Sequence, residues 1–415
     1  MTKEVFHIED LGEPRFDPDT QEMLDLGAAM APDLDFTVAG ICTAAKQQTG
    51  LNFFGSNDFE ERMELLLRTY QQEGNLSDLG TVSIHTQFTQ FAKNRLLLED
   101  LWKRHPEIEK INIERPIIIA GLPRTGTTHL HNLLAADPSL RSLPFWESVE
   151  PIPVAGEPAT GDAQDPRWQR TEASCQFMEQ AMPHFKRMHE MTVDHVHEEI
   201  HLLAMDFSSL FFDTLASIPT WRANYLATDQ TPHYRYLKRV LQALTFLRGG
   251  KRWVLKSPQH LEQLVALRTV FPDATVLITH RDPVAVEISM VTMIAYTQRM
   301  QTNGVDLHQV GAYWADRLDE LLNACLRDRG IWPDSQSLDI RFETFMSDEL
   351  AMVEQIYSLA GQPYDDQARA NHRSYLATHE RNRHGSIAYD AAHFGLIPQE
   401  RSEVFRPYCE RFGLQ

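Results

Sequence analysis

Cysteine is scarce: Cys42, Cys175, Cys325 and Cys409 are the only four in 415 residues, and no two form a CxxC pair. A disulfide framework is thereby excluded, and free thiols in a reducing compartment are expected. Positive charge is also short. Lys and Arg number 39 against 58 Asp and Glu, leaving a formal net charge of −19. Such a chain is a poor non-specific nucleic-acid binder, so no nucleic-acid partner is expected, and any anionic ligand needs a locally basic pocket. No apolar run reaches the 18 or so residues that a membrane helix requires. The nearest, residues 202–218, carries Asp206 and Asp213 and reads as a buried or pocket-lining helix. The opening MTKEVFHIEDLGEP has neither a basic segment nor an apolar one, so no secretory signal and a cytoplasmic location are expected. Internal repeats and low-complexity tracts are missing too.

What is present has a clear texture. The hydrophobic fraction of 42% and charged fraction of 23% are those of a globular protein. Phe59, Met63, Leu66, Leu67 and Tyr70 fall on one helical face, with Asn57 or Asp58 placed to cap it. A second helical stretch spans about residues 84–102. At residues 116–120, Pro-Ile-Ile-Ile-Ala, the pattern becomes that of a buried strand. Further strands are predicted at 253–255, 275–279 and 338–342, separated by helical segments. Strands alternating with helices predict a mostly parallel sheet covered on both faces. The expected organisation is a helical region over 1–112 packed on a core domain over 113–415. A loop over 150–170 and mainly helical residues 168–247 form an insertion at about 150–250 that caps the strand ends.

The sharpest motif is Gly121-Leu-Pro-Arg-Thr-Gly-Thr-Thr128. It has the Gly-x4-Gly spacing of a phosphate loop between strand and helix, where backbone amides and the helix N-terminus cradle an anion. Thr127 stands where nucleotide triphosphatases carry Lys, and Arg124 is the loop's cation. A Mg²⁺-holding acid at a strand end is also wanting: two strands run into Lys256 and His280, leaving only Glu343. The loop therefore suits a phosphate-type group handled by Arg and backbone without obligatory metal. A second segment, Thr279-His280-Arg281-Asp282-Pro283, ends a strand and opens a helix, with Ser289 two turns in.

These segments, in this order, resemble those of sulfotransferases that use 3′-phosphoadenosine 5′-phosphosulfate (PAPS). The chain is most similar to the bacterial branch that reads PRTGTT, LKSPQHL and THRDP, here residues 123–128, 255–261 and 279–283. The resemblance extends to residues 143–147 and 381–385. It implies a P-loop-type three-layer α/β fold with a mostly parallel sheet, a helical N-terminal region and the helical insertion. It implies PAPS as sulfuryl donor, leaving as adenosine 3′,5′-bisphosphate, with no metal. Arg124, Thr125, Gly126, Thr127 and Thr128 would hold the 5′-phosphosulfate. Arg281 and Ser289 would hold the 3′-phosphate, with Arg383 and Gly385 in a more loosely matching C-terminal loop beside Arg381.

Sulfuryl transfer needs in-line attack by an acceptor oxygen, a cation for the leaving phosphate and a base for the acceptor proton. Arg124 and Lys256 resemble the cations, Lys256 being the one that contacts the sulfonate. In the cytosolic enzymes a His follows that Lys by two residues. Here that place is Pro258, so His260 is the first choice of base, with His195, His197, Glu198 and Glu199 as rivals. An adenine-stacking aromatic is absent after the loop, where His129 stands; Phe342 falls where another is implied. Leu202, Leu203, Met205, Phe207, Leu210, Phe211 and Phe212 read as core or as the wall of a hydrophobic acceptor site. The expected partner is a small-molecule acceptor offering a hydroxyl or, less readily, an amine; homo-oligomerisation stays open. Two other chemistries compete: an ATP- or GTP-dependent kinase, and a zinc hydrolase through the HExxH match at His197 and His201, which has no downstream Glu ligand between residues 202 and 261. A non-catalytic PAPS-binding protein is the third alternative.

Overall fold

The computed structural model describes residues 4–379 and 383–414. Six strands occur among them: β1 (Val5–Phe6), β2 (Ile117–Ala120), β3 (Val254–Ser257), β4 (Thr275–His280), β5 (Ser337–Arg341) and β6 (Ser386–Ile387). Four of them make one sheet in the order β3-β2-β4-β5, every pair parallel, and β1 pairs with β6 as a separate parallel ribbon. Strand β2 is central and buried along its whole length. Its alternate residues feed opposite faces. Ile117 and Ile119 join Leu130, Leu133, Leu134, Val353 and Ile356 on one side. Ile118 and Ala120 join Leu255, Ile278 and Val291 on the other. Each buried Ile or Leu contributes about 1.5–3 kcal/mol. The result is the helix–sheet–helix sandwich expected from the alternation of strand and helix.

Helices begin where their capping residues stand. Ser77 accepts from Gly80 N at 2.9 Å to start Asp78–Arg104, and Asp282 accepts from Val284 N at 3.0 Å to start Pro283–Gln298. The helix Asp58–Glu73 buries Phe59, Met63, Leu66, Leu67 and Tyr70, the face expected of it. Strand β5 stops at Arg341, and Phe342 opens a helix, Phe342–Ser347, rather than ending the strand.

The insertion is mainly helical, as read, but is interrupted over residues 189–199. Pro166–Ala181, Pro219–Ala227 and Thr231–Arg248 are helices, but between them lie only short turns of helix, Phe185–Met188, Ile200–Ala204 and Phe211–Leu215. The backbone of residues 193–197 hydrogen-bonds instead with the segment at 143–146: His197 N to Leu143 O at 2.7 Å, Phe145 N to His195 O at 2.9 Å. Tertiary pairing has overridden the helical pattern. The aromatic run that follows is core. Phe207 and Phe212 lie against Phe88 at ring separations of 5.3 and 5.5 Å, and Leu202, Leu203, Met205 and Leu210 are buried with them. Those residues do not line the cleft described next, and they give no argument for a hydrophobic acceptor.

Candidate active site

The cleft lies at the C-terminal ends of β2, β3 and β4, where parallel sheets open their binding crevices. Its volume is about 530 Å³. Gly121 ends β2 so closely against β4 that a Cβ would sit 2.1 Å from Thr279 Oγ1. Only glycine fits there. The loop then turns through positive φ at Arg124 (71°) and Gly126 (89°), and Thr127 starts the helix Thr127–Ala135. Thr125 is buried and holds the loop's shape, with its hydroxyl 2.6 Å from both Leu122 O and Thr279 Oγ1. Gly126, Thr127 and Thr128 face the cleft. The helix N-terminus presents its free amides there.

Three of the expected donor-site residues meet at this loop. Arg124 donates through Nε to Ser289 Oγ at 2.9 Å, and Arg281 donates to the Arg124 carbonyl at 2.8 Å. The Arg281 guanidinium also lies 4.5 Å from the Phe342 ring centroid. Arg124 has two further partners, the Met188 carbonyl and the Tyr389 hydroxyl, the latter at 3.2 Å. Arg383 reaches Glu190 at 2.6 and 2.7 Å, and Gly385, at φ 85°, lines the cleft beside it. Arg381 lies outside the described residues. On this acidic chain Arg124, Lys186, Arg187, Arg281 and Arg383 line the cleft, facing Glu190, Asp194, Glu198 and Glu349. Phe342, Met346, Tyr375 and Leu376 supply an apolar and aromatic stretch of its wall. His129 is turned to Glu349, 2.7 Å away.

The opposite wall comes from residues 186–198. Lys256, near the end of β3, is buried; its ammonium pairs with Glu198 and lies 3.4 Å from Thr128 Oγ1. Glu198 borders the cleft. His260 does not. Its Nε2 is 2.5 Å from Glu199 Oε1 and its Nδ1 is 2.8 Å from the Tyr234 hydroxyl, so both ring nitrogens are occupied inside the core. Glu199 also accepts from Lys256 N at 2.9 Å, which fixes the end of β3. His189 and His195 do line the cleft, and His189 Nδ1 and His195 Nε2 have no hydrogen-bond partner. Burial, reinforced by Lys256, pushes the His195 imidazole down to about 4. Burial, with His195, Lys256 and Arg124 adding to it, holds His189 well below its ordinary value. Both rings are therefore neutral at pH 7.

The HExxH match does not assemble a metal centre. His197 and His201 stand 3.1 Å apart through Nε2 and Nδ1, and Glu199 is committed to His260. Among the described residues no group of three or more His, Cys, Asp or Glu is placed to hold a metal ion. Nor, among them, is any helix long and apolar enough to cross a membrane. Sequence reasoning missed Glu190, Met188 and Tyr389 altogether. They lie in segments without motif spacing, and no local signal marks them.

A parallel α/β sheet with a phosphate loop after its central strand, and a cleft over that loop, defines a P-loop-type fold. The family model described as "Sulfotransferase family" matches residues 116–366, and the chain belongs to that family. It is 30% identical to the crystal structure of sulfotransferase STF1 from Mycobacterium tuberculosis H37Rv, with a TM-score of 0.79 over 89% of this chain and 98% of that one. Sulfotransferase STF9 from Mycobacterium avium gives 27% identity and a TM-score of 0.82, covering 91% of this chain and 97% of that one. A curated relative from Mycobacterium bovis, "Omega-hydroxy-beta-dihydromenaquinone-9 sulfotransferase Stf3", is 24% identical over 318 residues, 72% of this chain and 76% of its own length. The protein is a sulfotransferase. Sulfuryl transfer displaces the kinase and zinc-hydrolase readings.

Proposed function

We propose that the enzyme takes its sulfuryl group from PAPS and transfers it to the hydroxyl of a small-molecule acceptor. The observation that carries the donor assignment is the meeting of Arg124, Ser289 and Arg281 around the start of the helix Thr127–Ala135. Two anionic ends need two cradles. The amides at Gly126–Thr128 with Arg124 suit the phosphosulfate, while Arg281 and Ser289, with Arg383 nearby, suit the 3′-phosphate. Phe342 is placed to stack the purine.

On the acceptor side, Glu198 is the base and Lys256 the cation. The acceptor oxygen forms a bond to sulfur, the bond from sulfur to the bridging phosphate oxygen breaks, and Glu198 receives the hydroxyl proton. Lys256 and Arg124 stabilise negative charge on the sulfonate and leaving phosphate. The products are the sulfate ester and adenosine 3′,5′-bisphosphate. The relative from M. bovis is named for an omega-hydroxy acceptor, which supports an alcohol as the acceptor class here. The wall that would receive it is polar near Glu198, with Thr192, Asp194 and His195.

Calorimetric titration with adenosine 3′,5′-bisphosphate, beside ATP with Mg²⁺, tests the donor assignment. The expected result is metal-independent bisphosphate binding, weakened at least tenfold by Arg281→Ala, in keeping with the roughly 1.5–3 kcal/mol of a charged hydrogen bond. Preference for ATP with Mg²⁺ would overturn it.

A further inference from the structure

We propose that strand β1 is a positioning element for the donor end of the cleft, acting chiefly through Phe6. This rests on the PAPS reading. Strand β1 pairs in parallel with β6, where Ser386 N donates to Glu4 O at 3.1 Å and Ala388 N to Phe6 O at 2.9 Å. The loop before β6 carries Arg383 and Gly385, and the residues after it lead to Tyr389, which meets Arg124. The Phe6 ring fills the space in front of Gly385, where a Cβ would come within 2.8 Å of its edge. On the other side of the Phe6 ring lies the segment Phe185–Met188. Arg187 lies with its guanidinium 3.8 Å from the Phe6 ring centroid, and His184 packs at 5.9 Å. Met188, next in sequence, gives its carbonyl to Arg124.

Phe6 therefore stands behind two partners of the same arginine. One comes from the loop around β6, the other from the segment after residue 184. Among the described residues, no sheet hydrogen bond other than the ribbon with β1 secures β6. The chain after β1 is itself anchored. Asp10 pairs with Arg299 at 2.5 Å, and Arg299 donates to Arg15 O at 3.0 Å, just beyond the helix Pro283–Gln298 that carries Ser289. The ribbon thus ties the Ser289 helix, the Arg383 loop and the Met188 carbonyl to one small apolar contact. Arg187 over the Phe6 ring is a cation–π contact. Its loss acts on donor affinity, since the groups it orients are those facing the nucleotide phosphates.

The test uses the full chain with Phe6→Ala and the conservative Phe6→Tyr. Calorimetry with adenosine 3′,5′-bisphosphate and steady-state kinetics with PAPS supply the readouts. Phe6→Ala is expected to raise the bisphosphate Kd and the KM for PAPS about tenfold, with kcat and the acceptor KM within about twofold and the melting temperature nearly kept. Phe6→Tyr, which retains the ring, is expected to restore both constants. Wild-type affinity in Phe6→Ala overturns the proposal, as does a fall in kcat with the KM for PAPS unmoved. If Phe6→Ala does not fold, Phe6→Leu, which keeps apolar bulk without a ring face for Arg187, is held to the same split between KM and kcat. Failure of the wild-type chain to bind the bisphosphate would instead overturn the PAPS reading, and this proposal with it.

Discussion

Glu198 and Glu199 are adjacent in sequence and opposite in role. The Glu199 side chain is fully buried and held by His260 and by the Lys256 amide. The Glu198 side chain keeps 15% exposure, borders the cleft and pairs with the Lys256 ammonium. The pairing of residues 193–197 with residues 143–146 ends just before these two residues, and the backbone turns at Glu199 (φ −77°, ψ 12°) into the helix Ile200–Ala204, which sends the two side chains apart. One carboxylate therefore builds the core and the other borders the cleft. The same contrast separates the two candidate cation and imidazole partners. Lys256 reaches toward the phosphate loop, whereas His260, four residues on, has turned into the interior. A closed triad of Tyr234, His260 and Glu199 has the composition of a catalytic relay, but nothing in it faces an acceptor.

The largest effect that would break this contrast is at Glu198. Glu198→Gln keeps the shape and removes the base, so kcat should fall by about 10²–10⁴ with bisphosphate affinity unchanged. A rate within tenfold of wild type would shift the role to His195, the neutral imidazole on the same wall. Lys256→Met should follow, losing about 10²–10³ in kcat as one preorganised charge is removed. If that variant lost only donor affinity, Lys256 would be a binding group and not a transition-state one.

His260 sharpens the comparison from the other side. His260→Leu leaves Glu199 buried without its partner, a change expected to cost about 3–5 kcal/mol of stability. Thermal melting should record that loss, while kcat per folded molecule stays within about threefold. A stable His260→Leu protein with abolished transfer would reinstate His260 as the base.

The donor half was legible in the sequence because its chemistry is local. Gly121, Arg124 and Gly126 lie within one turn between strand and helix, and Asp282-Pro283 caps the helix that carries Ser289. Each segment states its own conformation. The acceptor wall was not legible in this way. Residues 193–197 lie in a stretch read as mainly helical, yet their backbone is claimed by residues 143–146, a pairing that no spacing reveals. The position of His260 was hidden for the same reason: its distance along the chain from Lys256 suits a base, but the short helical turn Pro258–Glu262 carries it away from the cleft. The hydrophobic stretch at 202–212 was ambiguous until the helix Asp78–Arg104 supplied Phe88 and Phe91 to cover it.

The smallest effect distinguishes the histidine-rich acceptor wall from the rest of the molecule by its response to acid. Burial, with Lys256 contributing, holds His195 near 4, and burial alone holds His201 near 4. In the unfolded chain such imidazoles protonate near 6.5. Between about pH 6.5 and 4 the unfolded state therefore binds more protons than the native one, and stability falls as pH falls. Each such histidine contributes a slope of up to about 1.4 kcal/mol per pH unit in that window. Above pH 6.5 both states are neutral at these sites, and the slope from them vanishes. Denaturant melts of the wild type and of His201→Phe, recorded from pH 7.5 to 4.5, measure the difference. The variant, which has one fewer imidazole to protonate, should lose stability less steeply below pH 6.5 and match the wild-type profile in shape above it. Parallel profiles throughout would mean that His201 takes up its proton in the native state as readily as in the unfolded one, and the segment behind the cleft wall would then have to open in acid before the rest of the fold.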